Sequence, residues 1–328
     1  MGCATAYSLA GRGHQVTLYE QFEIGHKRGS SHGETRIYRY SYPDARYVAM
    51  MKEALPLWRD FERTTGLELL TQTGGLDTGA SLAQHAAALE SCDITFEMID
   101  GRSANQRWPV VSFDDDAEVL YQSEGGIVHA DRAWRAFGDA ARDLGAEIRS
   151  GQRVGAVELD DGVRVISEEV ETYDAAVVTA GGWAPGLLAG CGIDLPTRVT
   201  RETVAFFRFS EVPPTVVDWG DPAVYALADP GRGIKAGEHI AGPTTDADAP
   251  GEVNRDSVAR LTEWVARRYP GAPPEPWHAE TCIYTNTDDQ HFLIERHGPL
   301  VVGSPCSGHG FKFAPLIGRR LTALVEEI

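Results

Sequence analysis

The sequence predicts a mixed α/β fold, an α/β domain interleaved with an antiparallel-sheet domain. Three observations carry that reading. Helix and strand patterns alternate at the start of the chain. The run Ala175-Ala176-Val177-Val178-Thr179-Ala180 is short and almost wholly apolar, as a strand buried on both faces is. The middle of the chain holds mostly strand signals. At 328 residues the chain is long enough for roughly two domains. Segments 1–70, 125–198 and 295–328 are assigned to the first domain, and 71–124 and 199–294 to the second.

In chain order, a helix is expected from about Cys3 to Leu9, a turn at Gly11-Arg12-Gly13 and a strand over Gln15 to Glu20. Val48, Met51, Leu55 and Trp58 recur at helical spacing. Trp134, Phe137, Ala141 and Leu144 do the same, behind Asp131 as N-cap and ahead of Gly145 as the stop. Val154 to Leu159 and Val163 to Ile166 flank Asp160-Asp161-Gly162, a hairpin signal. Val204 to Phe209 and Leu300 to Val302 are further strands. Val258, Leu261 and Val265 mark a helix ended by Pro270. Pro315 suits the first turn of a last helix carrying Ile317, Leu321 and Leu324.

Composition narrows the function. Hydrophobic residues are 42% and charged residues 24%, ordinary for a folded chain. No run approaches the ~18 apolar residues of a membrane span, and no basic segment leads into an apolar one as a leader would. The expected location is the cytoplasm, with no membrane partner. Thirty basic against 48 acidic side chains leave a net charge of −18. That argues against non-specific binding to nucleic acid, though a local basic pocket can still take an anionic small molecule. The five cysteines, Cys3, Cys92, Cys191, Cys282 and Cys306, are odd in number and lack C-x-x-C spacing. Neither a disulfide framework nor a zinc ribbon is expected. With no H-E-x-x-H either, no metal site is expected.

Residues Gly2 to Glu20 read as helix, turn and a strand that ends on an acid. In a dinucleotide fold the last glycine of G-x-G-x-x-G allows close packing of helix on strand. An acid roughly 20 residues on takes the ribose hydroxyls. Gly2 and Glu20 fit the end of that pattern. Its first strand and first glycines would lie before Met1. The chain is therefore read as truncated relative to the pattern, through an internal start site or a partial gene.

Four further segments carry chemistry: Gly29-Ser30-Ser31-His32-Gly33-Glu34-Thr35-Arg36-Ile37-Tyr38-Arg39, Gly231-Arg232-Gly233-Ile234-Lys235 on to His239, Cys282-Ile283-Tyr284 on to His291-Phe292, and Ser307-Gly308-His309-Gly310-Phe311-Lys312-Phe313. With these the sequence resembles the monomeric sarcosine oxidase family, the FAD-dependent N-methyl amino acid oxidases. The resemblance runs through nearly the whole chain, including Arg107-Trp108-Pro109, Gly125-Gly126 and Tyr173 to Trp183. It departs at both ends, lacking the first strand and the tail after the last helix.

The resemblance implies a Rossmann-like FAD-binding domain lacking its first strand. It also implies a set of roles. Glu20 binds the FAD ribose. Gly29, Ser30, Ser31, His32 and Thr35 run beside the pyrophosphate and flavin, with Gly2 and Val154 also on the cofactor. Cys282 forms a thioether to the flavin ring. Arg39 and Lys312 hold the substrate carboxylate. Lys235 and Arg36 lie on the other flavin face, with Lys235 linked to oxygen activation. Tyr225, His239 and Tyr284 line the substrate pocket, with His239 in a catalytic role. Gly308, His309, Gly310 and Phe311 bring backbone to the flavin pyrimidine. The implied reaction moves a hydride from the carbon beside a secondary amine to the flavin. The resulting imine hydrolyses, and O2 is reduced to peroxide. The expected partners are an amino acid and O2, and the expected state is a monomer.

Elementary chemistry agrees. A planar Arg fork beside a Lys point charge suits a carboxylate. Buried cations stabilise an anionic reduced ring. Glycines 308 and 310 let backbone lie on a flat ring without a Cβ. The sequence admits two other readings. Gly29-Ser30-Ser31-His32-Gly33 has the letters of a serine nucleophile elbow, with Ser31 as nucleophile. The missing strand admits a non-catalytic homologue. Arg36 and Arg39, three apart, admit the bland reading of one helical face. His26, His85 and His297 are read as surface, the other four cysteines as structural and mostly buried, and Asp114 to Asp116 as a solvated turn.

Overall fold

The computed structural model describes residues 1–328. Its centre is an eight-stranded sheet. From one edge the strands run His278–Asn286, Arg198–Phe207, Gly233–Glu238, Val224–Asp229, Thr215–Trp219, Gly75–Gly79, Glu118–Gln122 and Glu97–Asp100. Neighbours are antiparallel except for Thr215–Trp219 beside Gly75–Gly79, which is parallel. The expected antiparallel sheet is thus mixed, because two remote segments of the chain meet at its middle.

Alternation along these strands divides the sheet into two chemically different faces. Leu76, Ala205, Phe207, Val216, Ala226, Ile234 and Ala236 point one way, into a core closed by Leu261, Trp264 and Val265 of the helix Arg255–Arg268. That helix is capped by Asn254, whose side chain accepts from the Asp256 and Ser257 amides. Residues one step along each strand point the other way, and these carry the chemistry.

The second core is built on helices. Gly2–Ala10 packs on Ala130–Asp143 and on Ala314–Glu326. Small residues allow the approach: a Cβ on Gly318 would lie 2.6 Å from the Ala4 carbonyl oxygen. The helix Ala45–Thr65 buries Val48, Met51 and Trp58 at the expected spacing. Asp44 caps it, accepting from the Arg46 amide at 2.8 Å, and Gly66 closes it in the left-handed conformation. Asp44→Ala should cost about 1 kcal/mol of stability, read as a lower denaturation midpoint with unchanged flavin content.

The short parallel strands fall into two sheets. Thr17–Glu20 pairs with Glu147–Ser150, and Ala176–Val178 pairs with Leu300–Ser304. Each sheet ends in an edge strand whose residues line one large cavity, and Gly2 sits between them, near Thr179 and Leu18. The hairpin at Asp160-Asp161-Gly162 forms with Gly162 at φ 101°. Asp131 is not the N-cap of its helix. The helix starts at Ala130, and the Asp131 carboxylate accepts from the Trp134 indole instead. Val154 lies just before its expected strand, which starts at Ala156.

Candidate active site

The sheet register assembles the site. On the face opposite the helix Arg255–Arg268, one cross-strand row runs Glu280, Val204, Gly237, Tyr225, Val217, Asp77. The adjacent row runs His278, Phe206, Lys235, Leu227, and Cys282 stands opposite Glu202. Residues two apart on a strand share a face, so Lys235, Tyr225, Cys282, Tyr284 and Asp77 emerge from the same side. Gly237 is glycine because Tyr225 crosses over it: a Cβ there would lie 2.6 Å from the tyrosine hydroxyl.

This face and the two parallel-strand sheets enclose a cavity of about 1900 Å³, larger than the ~300–1,000 Å³ of an ordinary small-ligand pocket. Every residue the sequence proposed for the cofactor lines it, from Gly2 and Glu20 through Ser30, Ser31 and Val154 to Cys282 and Gly308 to Lys312. His239, Arg39, Tyr225, Tyr284 and Lys235 line it too.

Arg36 and Lys235 form one cationic end. Arg36 lies in the strand Thr35–Tyr38, not on a helix, and Arg39 follows the strand's end. The Arg36 guanidinium donates to the Ser30, His32 and Thr35 carbonyls, which ties the glycine-rich loop to the strand. Lys235 is buried and donates to the Thr35 carbonyl at 3.3 Å. Burial and the neighbouring Arg36 bring its ammonium down to about 7. Gly33, at φ 96°, leaves room there. A Cβ would sit within 4 Å of Arg36 Nη1, Lys235 Nζ and Glu280 Oε1.

The other cationic end is held by Tyr42. Lys312 Nζ donates to the Tyr42 hydroxyl and to the His309 carbonyl, each at 2.9 Å, and the Arg39 guanidinium lies 4.9 Å from the Tyr42 ring centre. Burial first, then Arg39 and Arg36, push the Lys312 ammonium well below its usual range. No carboxylate of the chain pairs with Lys312. His239 is held down to about 4 by burial and these two cations, so it is neutral at pH 7.

The cavity fits a flavin nucleotide. Both His32 ring nitrogens and the Thr35 hydroxyl are buried with no partner, and they sit on the loop proposed for the cofactor. His32 is held down to about 4, chiefly by burial, so one nitrogen can donate and the other accept. Three buried or half-buried cations without matched anions suit a ligand that carries negative charge. Cys282 lies at the edge of the cavity, its thiol pushed up by burial and drawn back by Arg36 and Lys235.

Several expectations need correction. Glycines 308 and 310 line the cavity as expected, but the protein itself already requires both. A Cβ at Gly308 would lie 2.2 Å from the Tyr284 ring, and one at Gly310 would lie 1.6 Å from the Pro305 carbonyl oxygen. His85 is not a surface residue: it is fully buried, packed on Trp219, with Nδ1 on the Ser81 carbonyl. The cysteines are all partly exposed, and Cys306 accepts from the Thr285 amide beside the cavity. Ser31 is no elbow nucleophile, since the segment leads into a strand and no ring nitrogen bonds its hydroxyl.

Sequence reasoning missed Trp219, Asp77, Glu202 and Glu280. Period-two spacing back from Cys282 would have found Glu280. Asp77 and Trp219 meet only through the parallel pairing of remote strands, which leaves no local signal.

Fold and site together define a flavin-dependent oxidoreductase acting on amines. The chain belongs to the DAO family, described as FAD dependent oxidoreductase, which matches residues 1–324. It is 33% identical to human peroxisomal sarcosine oxidase, over 98% of this chain and 89% of that protein. It is 29% identical to the monomeric sarcosine oxidase of Bacillus sp. strain B-0618, over 99% of this chain and 89% of that protein. Among solved structures, NikD, an unusual amino acid oxidase, superposes with a TM-score of 0.89 at 25% identity, covering 99% of this chain and 91% of that one. Glycine oxidase from Geobacillus kaustophilus shares the fold, at TM-score 0.83 and 20% identity over 99% and 92% of the two chains.

Proposed function

We propose that this chain oxidises a secondary amino acid, either an N-methyl amino acid such as sarcosine or a cyclic imino acid, and reduces O2 to hydrogen peroxide. The observation that carries the reading is the pair of cationic ends in one cavity, Arg39 with Lys312 at one and Arg36 with Lys235 at the other. The sarcosine oxidases among its relatives support the substrate class.

When bound, FAD supplies the two-electron acceptor. The chain's own residues do the rest. Lys312 and Arg39 fix the substrate carboxylate and so orient the carbon beside the nitrogen. Their charge also favours the neutral amine, the form whose lone pair drives hydride loss. Tyr225, Tyr284 and neutral His239 wall the pocket and exclude water without adding charge. Lys235 holds a proton beside the place where oxygen gains electrons.

The reading extends to covalent attachment of FAD through Cys282, which stands on the same sheet face as Lys235. Flavin should stay with the acid-precipitated protein, and Cys282→Ala should release it to the supernatant. Release from the unaltered chain would sink the attachment alone. Peroxide production with sarcosine, N-methyl-alanine or pipecolate tests the activity itself, and none with any secondary amino acid would contradict it. A monomeric, cytoplasmic enzyme is part of the same proposal, and sizing by light scattering tests the first of these.

A further inference from the structure

Asp77 lies behind the substrate end of the cavity and has no part in the reaction above. It stands on the strand Gly75–Gly79, in the row that ends Tyr225, Val217, Asp77. One carboxylate oxygen accepts twice, from the Trp219 indole at 2.9 Å and from Arg39 Nη1 at 3.3 Å. Arg39 is in turn sandwiched, with its guanidinium 4.7 Å from the Trp219 ring centre and 4.9 Å from that of Tyr42. The pair is shielded, the Asp77 side chain being 4% exposed and that of Arg39 13%. Lys312, across Tyr42, has no such counter-ion.

We propose that Asp77 is a positioning residue that clamps Arg39 against Trp219 and cancels one of the two positive charges at the substrate end, so that the site is matched to a single carboxylate. This rests on the amino-acid reading of the site. Two cations and one carboxylate leave one net positive charge. An amino acid with a neutral amine and one carboxylate brings one negative charge, so the complex is neutral. A dicarboxylic amino acid would bring a second negative charge that meets no free cation. Arg39 keeps its other guanidinium donors for the substrate, because Asp77 occupies only one. The remaining titratable groups around Arg39 do not upset this balance. His239 and His309 are held down by burial and by the cations, and His85, packed on Trp219, is lowered by burial as well.

The test is Asp77→Asn in the FAD-loaded chain, read in two ways. Calorimetry with acetate measures how strongly the site attracts one carboxylate. Anaerobic flavin reduction by an N-methyl amino acid across pH measures the proton lost from the bound amine. Unmasking Arg39 should tighten acetate binding by roughly tenfold. It should also move the amine limb to lower pH by about one unit, since added positive charge favours the neutral amine. Weaker acetate binding with the limb moved upward would show that Asp77 merely props Arg39, and would overturn the charge assignment. No change in either would overturn it as well. Should Asp77→Asn fail to fold, Arg39→Gln is compared with Arg39→Gln/Asp77→Asn. The single variant leaves a buried unpaired carboxylate, so the double variant should bind acetate more tightly. Equal or weaker binding would count against the proposal. Acetate binding does not depend on turnover. If the amine-oxidation reading failed, the acetate result would still decide the role of Asp77.

Discussion

Lys235→Met should slow reoxidation of the reduced enzyme by O2 by roughly 10²–10³-fold, the usual effect of removing one preorganised charge from a reacting centre. Methionine keeps the length of the stem on the sheet and removes only the ammonium. Lys235 donates to the Thr35 carbonyl and makes no bond at the substrate end, where Arg39 and Lys312 lie around Tyr42. Flavin reduction by the amino acid should therefore change little. Stopped-flow traces of the two half-reactions separate the effects, and an equal loss in both would place Lys235 outside the oxygen step. The pH dependence has a definite sign. The ammonium is the active form, and the buried group sits at about 7. The oxygen rate should be highest at low pH and fall as pH rises through that value. Negative charge on the reduced flavin would move the inflection upward, never downward.

Lys312→Met should weaken binding of the amino acid roughly ten- to a hundredfold, the size of one charge-assisted hydrogen bond. The ammonium is buried, bonded to the Tyr42 hydroxyl and the His309 carbonyl, and without an acid. Burial and two arginines work against its charge. A substrate carboxylate supplies the missing partner and holds the proton on. Substrate affinity should therefore fall as pH rises and Lys312 loses its proton, and this dependence should vanish in Lys312→Met. The oxygen half-reaction should be unaffected. A variant with normal KM and impaired reoxidation would exchange the roles assigned to the two lysines.

What the sequence made legible was local or carried by resemblance. Spacing placed the helices around Trp58 and Ile317, since an amphipathic stripe needs no partner to be seen. Gly33 and Lys235 were visible as residues but not as neighbours. They meet because the strand Thr35–Tyr38 crosses the face on which Lys235 stands. The rows that join Cys282 to Glu202 and Tyr225 to Asp77 are register, and register is set by pairing between remote strands. That is why Asp77 and Trp219 escaped notice, and why His85 was misread: the polar ring is buried by a tryptophan 134 positions away. Glycines 308 and 310 were visible in the sequence, but the protein contacts that require them were not. Their neighbours are the Tyr284 ring and the Pro305 carbonyl, which no local pattern reveals.

In the proposed function, one cavity brings a carboxylate-holding pair and a flavin into contact with the same secondary amino acid. The most direct measurement mixes the FAD-loaded chain with sarcosine or pipecolate without oxygen and follows the visible flavin spectrum. The flavin should bleach, the rate should saturate with amino acid, and colour should return with peroxide when air is admitted. A flavin that stays oxidised with every secondary amino acid tried, in a protein that binds FAD, would contradict it.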